Sequence, residues 1–149
     1  MTIFIAADHR GFELKNKLIE YIQEKNIRVE DLGAYDFDAT AEDDYPDFAN
    51  KVAQAVLQNP KEFLGIGICG SGNGIAVAAN RTKGIYCGLA FNEYQIKHMR
   101  ENDHINMLAL PSDYIDIDKA KHFVDIFLNT KPLPKEKYLR RLKKIDGEL

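Results

Sequence analysis

A cysteine stands beside a glycine-rich loop in the middle of the sequence, where a thiol could act on a bound anion. The stretch 65–81 reads GIGICGSGNGIAVAANR. Apolar residues 63–68 predict a strand, the loop 69–74 holds three glycines, and the small residues 75–79 open a helix. Glycines let backbone amides approach a ligand closely, and a helix N-terminus carries partial positive charge. We therefore expect the loop to cradle an anion.

Cys69 stands at the end of the predicted strand, next to these amides. Backbone N–H groups and a helix N-terminus favour the thiolate form of a cysteine, which can then act as a base or a nucleophile near neutral pH. A buried structural cysteine is the alternative interpretation. The flanking glycines favour the functional one.

Three familiar glycine motifs do not match this loop. The glycines at 70, 72 and 74 lack the spacing of a dinucleotide-binding fingerprint, and no lysine follows Gly74 to form a P-loop. A serine elbow would need glycines where Cys69 and Asn73 stand on either side of Ser71. The loop is therefore not identified by a nucleotide or hydrolase motif.

A second polar cluster follows the first predicted strand, residues 2–7. Asp8, His9 and Arg10 come before a helix whose apolar residues recur at helical spacing. Open α/β sheets bind ligands at the carboxyl ends of their strands, so these three groups are candidates for a site. Alternatively, Asp8 caps the helix and His9 is solvated.

The composition is typical of a soluble globular protein. The chain has 149 residues, 45% apolar and 29% charged, with a net charge of −3. This length predicts one domain over 1–149. Two cysteines cannot build a disulfide scaffold, and no signal-like segment opens the chain, so we expect a cytoplasmic protein. The absence of long apolar runs and of an overall basic charge predicts no membrane and no nucleic-acid partner.

Strand and helix patterns alternate along the chain. The alternation predicts a three-layer α/β/α fold with a five-stranded parallel Rossmann-like sheet and a C-terminal basic helix. The predicted strands are 2–7, 28–32, 63–68, 85–90 and 107–110, with helices after them and a basic helix over 135–144. Cys87 lies within a strand and is expected in the core.

The acidic, aromatic segment 34–44 shows no periodicity and is predicted to be a surface loop. Its run Glu42, Asp43 and Asp44 is interpreted as solvated charge near a helix start. No converging set of ligands suggests a metal site.

Five motifs occur in order along the chain: residues 7–12 (ADHRGF), the pair Tyr45-Pro46, the loop 69–75 running into 78–80, the segment 106–108 (NML) and the arginine-bearing C-terminal helix. Together they resemble the ribose-5-phosphate isomerase B family, which includes galactose-6-phosphate isomerase subunits and allose-6-phosphate isomerase. The resemblance implies an aldose–ketose isomerase that acts on a small phosphorylated sugar without metal or cofactor. It also implies a homodimer or a dimer of dimers whose subunits share active sites.

The resemblance assigns roles residue by residue. Cys69 is the base that moves a proton between C1 and C2 through an enediolate, and Ser71 with the loop amides holds the developing oxyanion. Asp8 binds the sugar hydroxyls or ring oxygen. The remaining substrate contacts are His9, Tyr45, Gly70, Gly72, Asn73, Gly74 and Asp103, and the phosphate contacts are His9, Lys137 and Arg141.

Two positions depart from the family pattern. Lys137 stands where the family often has arginine, which keeps the charge but loses the bidentate fork. Aligned through Asn106, the ring-opening histidine of the family falls on Asn102, and an amide cannot transfer a proton at neutral pH. Ring opening could then use His104, use His9 or His98, or be absent; His104 is the favoured candidate.

The function best supported by the sequence is interconversion of ribose 5-phosphate and ribulose 5-phosphate. An isomerase of a six-carbon sugar phosphate and a non-catalytic sugar-phosphate-binding module are the alternatives. A thiol-dependent hydrolase ranks last, because no group that would orient a histidine partner can be assigned.

Overall fold

The computed structural model describes residues 1–37 and 42–149. They form β1 (Thr2–Ala7), α1 (Phe12–Glu24), β2 (Arg28–Asp31), α2 (Tyr45–Leu57), β3 (Phe63–Cys69), α3 (Asn73–Ala79), β4 (Cys87–Leu89), α4 (Glu93–Asn102), β5 (Met107–Pro111), α5 (Ile117–Asn129) and α6 (Glu136–Ile145). The predicted three-layer α/β/α fold is confirmed. None of the helices in the described ranges is long and apolar enough to cross a membrane.

The strands form one parallel sheet in the order β2-β1-β3-β5-β4. β3 is central, with β1 and β5 as its neighbours. Ala7 pairs with Ile68, and Cys69 pairs with Pro111, so the carboxyl ends of the three strands finish at the same level. The sheet order therefore brings the segments after Ala7, Cys69 and Pro111 to one edge.

Side chains of successive strand residues point to opposite faces, which produces two cores. The larger core holds Ile3, Ile5, Ile66 and Ile68 of the sheet with buried residues of α1, α4 and α5. The second core holds small residues, such as Ala6 and Ala109, packed against α2 and α3. Both faces are covered, as the continuous apolar strands require.

Strand β4 is shorter than predicted because its first residues make other bonds. Ile85 N donates to Thr82 O in a turn (3.0 Å), and Tyr86 N donates to the Asn106 side chain (2.9 Å). Cys87 then begins the strand. The Asn80 side chain donates to Cys87 O and accepts from Cys87 N, both at 2.8 Å, which occupies backbone groups on this edge strand.

Cys87 packs against the core between the sheet and the α2–α3 pair. Burial, with a smaller effect of the neighbouring Cys69, raises the pKa of the Cys87 thiol to about 12. The thiol of Cys87 is therefore neutral at physiological pH. This agrees with its predicted structural role.

Helix α6 lies against the amino ends of the strands. Its Tyr138 and Leu142 are buried, and the Asp146 carboxylate that follows accepts from Gly84 N at 3.3 Å. The Tyr86 hydroxyl also donates to Asp146, and burial together with this carboxylate raises the pKa of Tyr86. These contacts fix α6 at the edge of the sheet opposite to Cys69.

Candidate active site

Cys69 lies in a cleft at the carboxyl edge of the sheet. Cys69 is only 3% exposed, yet it lines a cavity of about 250 Å³. The other lining residues are Asp8, Arg10, Tyr45, Gly70, Ser71, Gly74, Asp113 and Tyr114. Six residues predicted from the sequence, namely Asp8, Tyr45, Cys69, Gly70, Ser71 and Gly74, therefore meet at one cavity. Gly72 and Asn73 belong to the same loop but do not line it.

The loop after Cys69 exposes backbone amides. Gly72 has a φ of +71°, a conformation that glycine adopts without steric cost, and this turn leads into α3. Within residues 1–37 and 42–149, no backbone carbonyl accepts from the amides of Gly70, Ser71, Gly72 or Gly74. The Ser71 hydroxyl accepts from Asn73 N at 3.2 Å. The loop thus presents several donors beside the thiol.

Asp8 is held at the tip of β1 with its carboxylate turned towards its own loop. Its Oδ1 accepts from Arg10 N at 3.0 Å and from Gly11 N at 3.3 Å. Burial raises the pKa of Asp8 above its ordinary value, and the two hydrogen bonds from backbone amides oppose that increase. The carboxyl group is buried and held in one orientation, which suits a group that binds a sugar hydroxyl.

His9 lies next to this cavity and lines a larger neighbouring one of about 640 Å³, together with Phe12 and Phe37. Its Nδ1 is 3.8 Å from Asp43 Oδ2, and neither His9 Nδ1 nor Asp43 Oδ1 has a hydrogen-bond partner among the described residues. The Asp43 side chain is 8% exposed. The interpretation of Asp43 as solvated charge was therefore wrong, because this carboxylate is enclosed beside His9. The predicted loop 34–44 lies partly outside the described residues.

Five other predicted site residues lie far from Cys69 within one chain: Asn102, Asp103, His104, Lys137 and Arg141. Asn106 directly precedes β5, and Cys69 pairs with Pro111 at the other end of that strand. Five residues at the rise of a strand place Asn106 about 16 Å from Pro111. The segment 102–104 precedes Asn106, and α6 lies at the same amino edge. One subunit therefore contains two separate groups of predicted site residues.

His104 is held within its own subunit. Its backbone φ is +52°, its Nε2 lies 2.9 Å from Leu133 O, and its ring meets Tyr138 edge to face at 6.5 Å. Arg100 supports this segment by donating to Ile105 O at 2.7 Å. Asn102 is in contact with the exposed His98, whose ring nitrogens lie 3.1 and 3.3 Å from the Asn102 amide nitrogen.

Lys137 and Arg141 are exposed on α6, four residues apart, and so share one face of the helix. Neither forms an ion pair with any residue in the described ranges. By contrast, the neighbouring Arg140 is paired with Glu136 at 2.8 Å. Two unpaired cations on one helix face are suited to an external anion.

Three residues that line the cavity received no specific role from the sequence: Arg10, Asp113 and Tyr114. Arg10 was noted at the tip of β1, but no role was assigned to it, and Asp113 follows β5 in a segment with no motif. Their side chains form an ion pair at the cavity. Only the pairing of β1 and β5 with β3 brings positions 10 and 113 together, so no local pattern could have revealed it.

Comparisons with known proteins identify the family of the chain. A family model described as Ribose/Galactose Isomerase matches residues 3–145. A protein of Mycoplasma genitalium named probable ribose-5-phosphate isomerase B is 42% identical over 127 residues, which are 85% of this chain and 82% of the relative.

Solved structures show the same similarity. A ribose 5-phosphate isomerase from Thermotoga maritima superposes with a TM-score of 0.90 at 40% identity and covers 98% of this chain and 97% of that one. Ribose-5-phosphate isomerase B from Mycoplasma genitalium with bound ribulose-5-phosphate gives 0.91 at 39% identity, covering 98% and 94%.

Proposed function

The chain belongs to the ribose/galactose isomerase family, and from this premise we propose that it interconverts ribose 5-phosphate and ribulose 5-phosphate. One observation carries the proposal to this chain. The thiol of Cys69 lines a cavity with a fixed carboxyl group, Asp8, and with the glycine loop. A sugar bound there would meet a base, a hydroxyl-binding group and amide donors at once.

The isomerisation needs two balanced proton transfers. A proton leaves C2 of the aldose and is delivered to C1. O2 loses its hydroxyl proton and O1 gains one, and the intermediate is an enediolate. We assign the carbon-to-carbon transfer to Cys69 Sγ, because it is the one thiol at the cavity. The same sulfur then takes and returns the proton on one face of the sugar.

The negative charge that develops on the enediolate oxygens requires donors that are already in position. The amides of Gly70, Ser71 and Gly74 supply them at the cavity wall, together with the Ser71 hydroxyl. Tyr45 lies directly over Gly74 and closes this side of the cavity. Asp8 is placed to accept a hydrogen bond from a sugar hydroxyl.

A phosphate dianion also needs cations, and Lys137 with Arg141 lie at the wrong edge of the sheet to supply them within one chain. We propose that a second copy of the chain brings its α6 and its segment 102–104 to the cavity, so that a homodimer shares its active sites. The two separated groups of predicted residues and the unpaired cations of α6 support this arrangement.

Subunit mixing tests the shared site. At ribose 5-phosphate concentrations well below the wild-type KM, Arg141→Ala and Cys69→Ser should each be nearly inactive alone. A mixture allowed to exchange subunits should regain activity, because some dimers then contain one site with both native residues. Random exchange gives about one quarter of the wild-type activity per site. No recovery after exchange, confirmed by a mass-tagged subunit, would show that each chain builds its own site.

Ring opening is assigned to His104 of the second copy. His104→Asn should slow ribose 5-phosphate turnover by about tenfold to a hundredfold, but it should leave a four-carbon aldose phosphate that cannot cyclise nearly unaffected. Asparagine is chosen because it tolerates the positive φ of this residue.

The parallel variant for this assignment is His98→Ala, since His98 contacts Asn102. If His98→Ala instead slows turnover of ribose 5-phosphate but not of the four-carbon substrate, ring opening is assigned to His98. Equal losses on both substrates in His104→Asn would reject ring opening by His104.

The substrate assignment is tested with initial rates on three sugar phosphates. Purified protein should convert ribose 5-phosphate faster than galactose 6-phosphate or allose 6-phosphate. Faster turnover of a six-carbon substrate would replace the five-carbon assignment, and binding without turnover of any of them would identify a binding protein.

A further inference from the structure

The ion pair between Arg10 and Asp113 lies across the entrance to the glycine loop. Its guanidinium and carboxylate stand directly over Gly70, where a Cβ would lie 2.6 Å from Arg10 Nε and 2.9 Å from Asp113 Oδ2. A side chain at position 70 would have to displace these two charged groups. The pair is thus built into the cavity that contains Cys69.

The backbone on both sides of the pair is fixed. Arg10 N donates to Asp8 Oδ1 at 3.0 Å, and the Ser112 hydroxyl lies 2.9 Å from Arg10 O and 3.1 Å from Cys69 O. Asp113 N donates to Gly70 O at 3.0 Å. The side chains are freer than this backbone, since that of Arg10 is 56% exposed and that of Asp113 is 34% exposed.

The charges of the cavity create a problem for an anionic substrate. Among the described residues that line it, Arg10 is the only cation, and it stands with the two carboxyl groups Asp8 and Asp113. While Asp113 occupies the guanidinium, the cavity repels a phosphate dianion. The pair also lines the neighbouring cavity beside His9, so it forms the boundary between the two.

Resting on the proposed function, we propose that Arg10 binds the phosphate group of the substrate and that Asp113 is the exchangeable counter-ion of Arg10 in the empty site. This Arg10 belongs to the same subunit as the Cys69 that acts on the substrate. Phosphate oxygens displace the Asp113 carboxylate from the guanidinium, whose planar fork suits them equally well. The boundary position lets one end of the sugar reach Cys69 while the phosphate lies between Arg10 and His9. Asp113 then lowers affinity for every phosphorylated ligand, because each one must compete with it.

Two variants that should change the affinity for phosphate in opposite directions test this exchange. Titration calorimetry with inorganic phosphate should show binding weakened by about tenfold or more in Arg10→Gln, since a charge-assisted contact is lost. In Asp113→Asn, which keeps the shape but removes the competing charge, binding should become several-fold tighter. The KM for ribose 5-phosphate should change in the same directions, with kcat within about threefold.

Lys17→Gln is the matched control, because Lys17 is a nearby cation that lines the neighbouring cavity and pairs with Glu13. Its phosphate affinity should stay within about twofold of the wild type. Arg10→Lys should recover part of the affinity but not the fork geometry. Melting curves confirm that each variant is folded.

Two results would overturn the proposal. Unchanged phosphate affinity in a folded Arg10→Gln protein would remove Arg10 from the phosphate site, and weakening in both Arg10→Gln and Asp113→Asn would show a structural bracket instead of a counter-ion. These titrations do not depend on turnover. Failure of the isomerase assignment would appear separately, as a wild-type protein that binds phosphate without converting ribose 5-phosphate.

Discussion

Cys69→Ser is expected to lower kcat for ribose 5-phosphate by about a hundredfold to ten-thousandfold, the usual cost of losing a general base. A serine hydroxyl has nearly the same size as the thiol, but it is a far weaker base at neutral pH. Because Cys69 is assigned to the reacting carbons and not to the phosphate, KM should change little. Steady-state kinetics on the purified variant measure both quantities.

Cys87→Ser provides the contrasting cysteine. Cys87 begins β4 and packs in the second core, where its thiol is neutral. Its replacement should lower the melting temperature and leave kcat near the wild-type value. Retained turnover in Cys69→Ser, or an equal loss of kcat in the two variants, would contradict the assignment of Cys69 as the base.

Arg141→Ala is expected to raise KM for ribose 5-phosphate by about tenfold to a hundredfold, which corresponds to the loss of a charge-assisted contact of about 1.5–3 kcal/mol. Arg141 is exposed and unpaired among the described residues, so its removal should not affect folding. Steady-state kinetics and a melting curve separate the two effects.

The matched control is Arg140→Ala on the adjacent position of α6, where the guanidinium is paired with Glu136. KM should stay within about twofold of the wild type in that variant. Lys137→Arg should lower KM, because arginine restores a bidentate contact to phosphate. A similar KM increase in both alanine variants would indicate a general charge effect rather than a phosphate contact.

Deletion of α6 is a less informative test than these substitutions. The helix buries Tyr138 and Leu142, and Asp146 accepts from Gly84 and Tyr86. Loss of residues 135–149 would therefore expose core surface as well as remove Arg141. Inactivity of such a truncation would not distinguish a missing phosphate contact from a destabilised sheet edge.

Much of the fold was predictable because local patterns agree with the tertiary structure. Apolar runs such as 2–7 and 63–68 become paired central strands, and the alternation with helices makes the sheet parallel. Parallel strands bring their carboxyl ends together, so Asp8 and Cys69 could be placed at one edge before the structure was known. The family resemblance predicted from the motifs is confirmed as well.

The rest depended on contacts between distant segments. Arg10 and Asp113 are 103 residues apart and meet only because β1 and β5 flank β3. Asp43 belongs to an acidic run that resembles solvated charge, and its enclosure by His9 has no local signal. The place of His104 in the family pattern depends on aligning the chain through Asn106. Its contact with Leu133 arises because the segment before α6 packs against it.

Conversion of ribose 5-phosphate in deuterium oxide, followed by NMR, tests whether Cys69 carries the proton between C2 and C1. A thiol that carries the proton between two carbons exchanges it with solvent while the enediolate exists, so we expect ribulose 5-phosphate with deuterium at C1. In Cys69→Ser, product formation and deuterium exchange at C2 of the substrate should both be slower by about a hundredfold or more. Absence of ribulose 5-phosphate with the wild-type protein, or deuterium incorporation that persists without the Cys69 thiol, would contradict this role of Cys69.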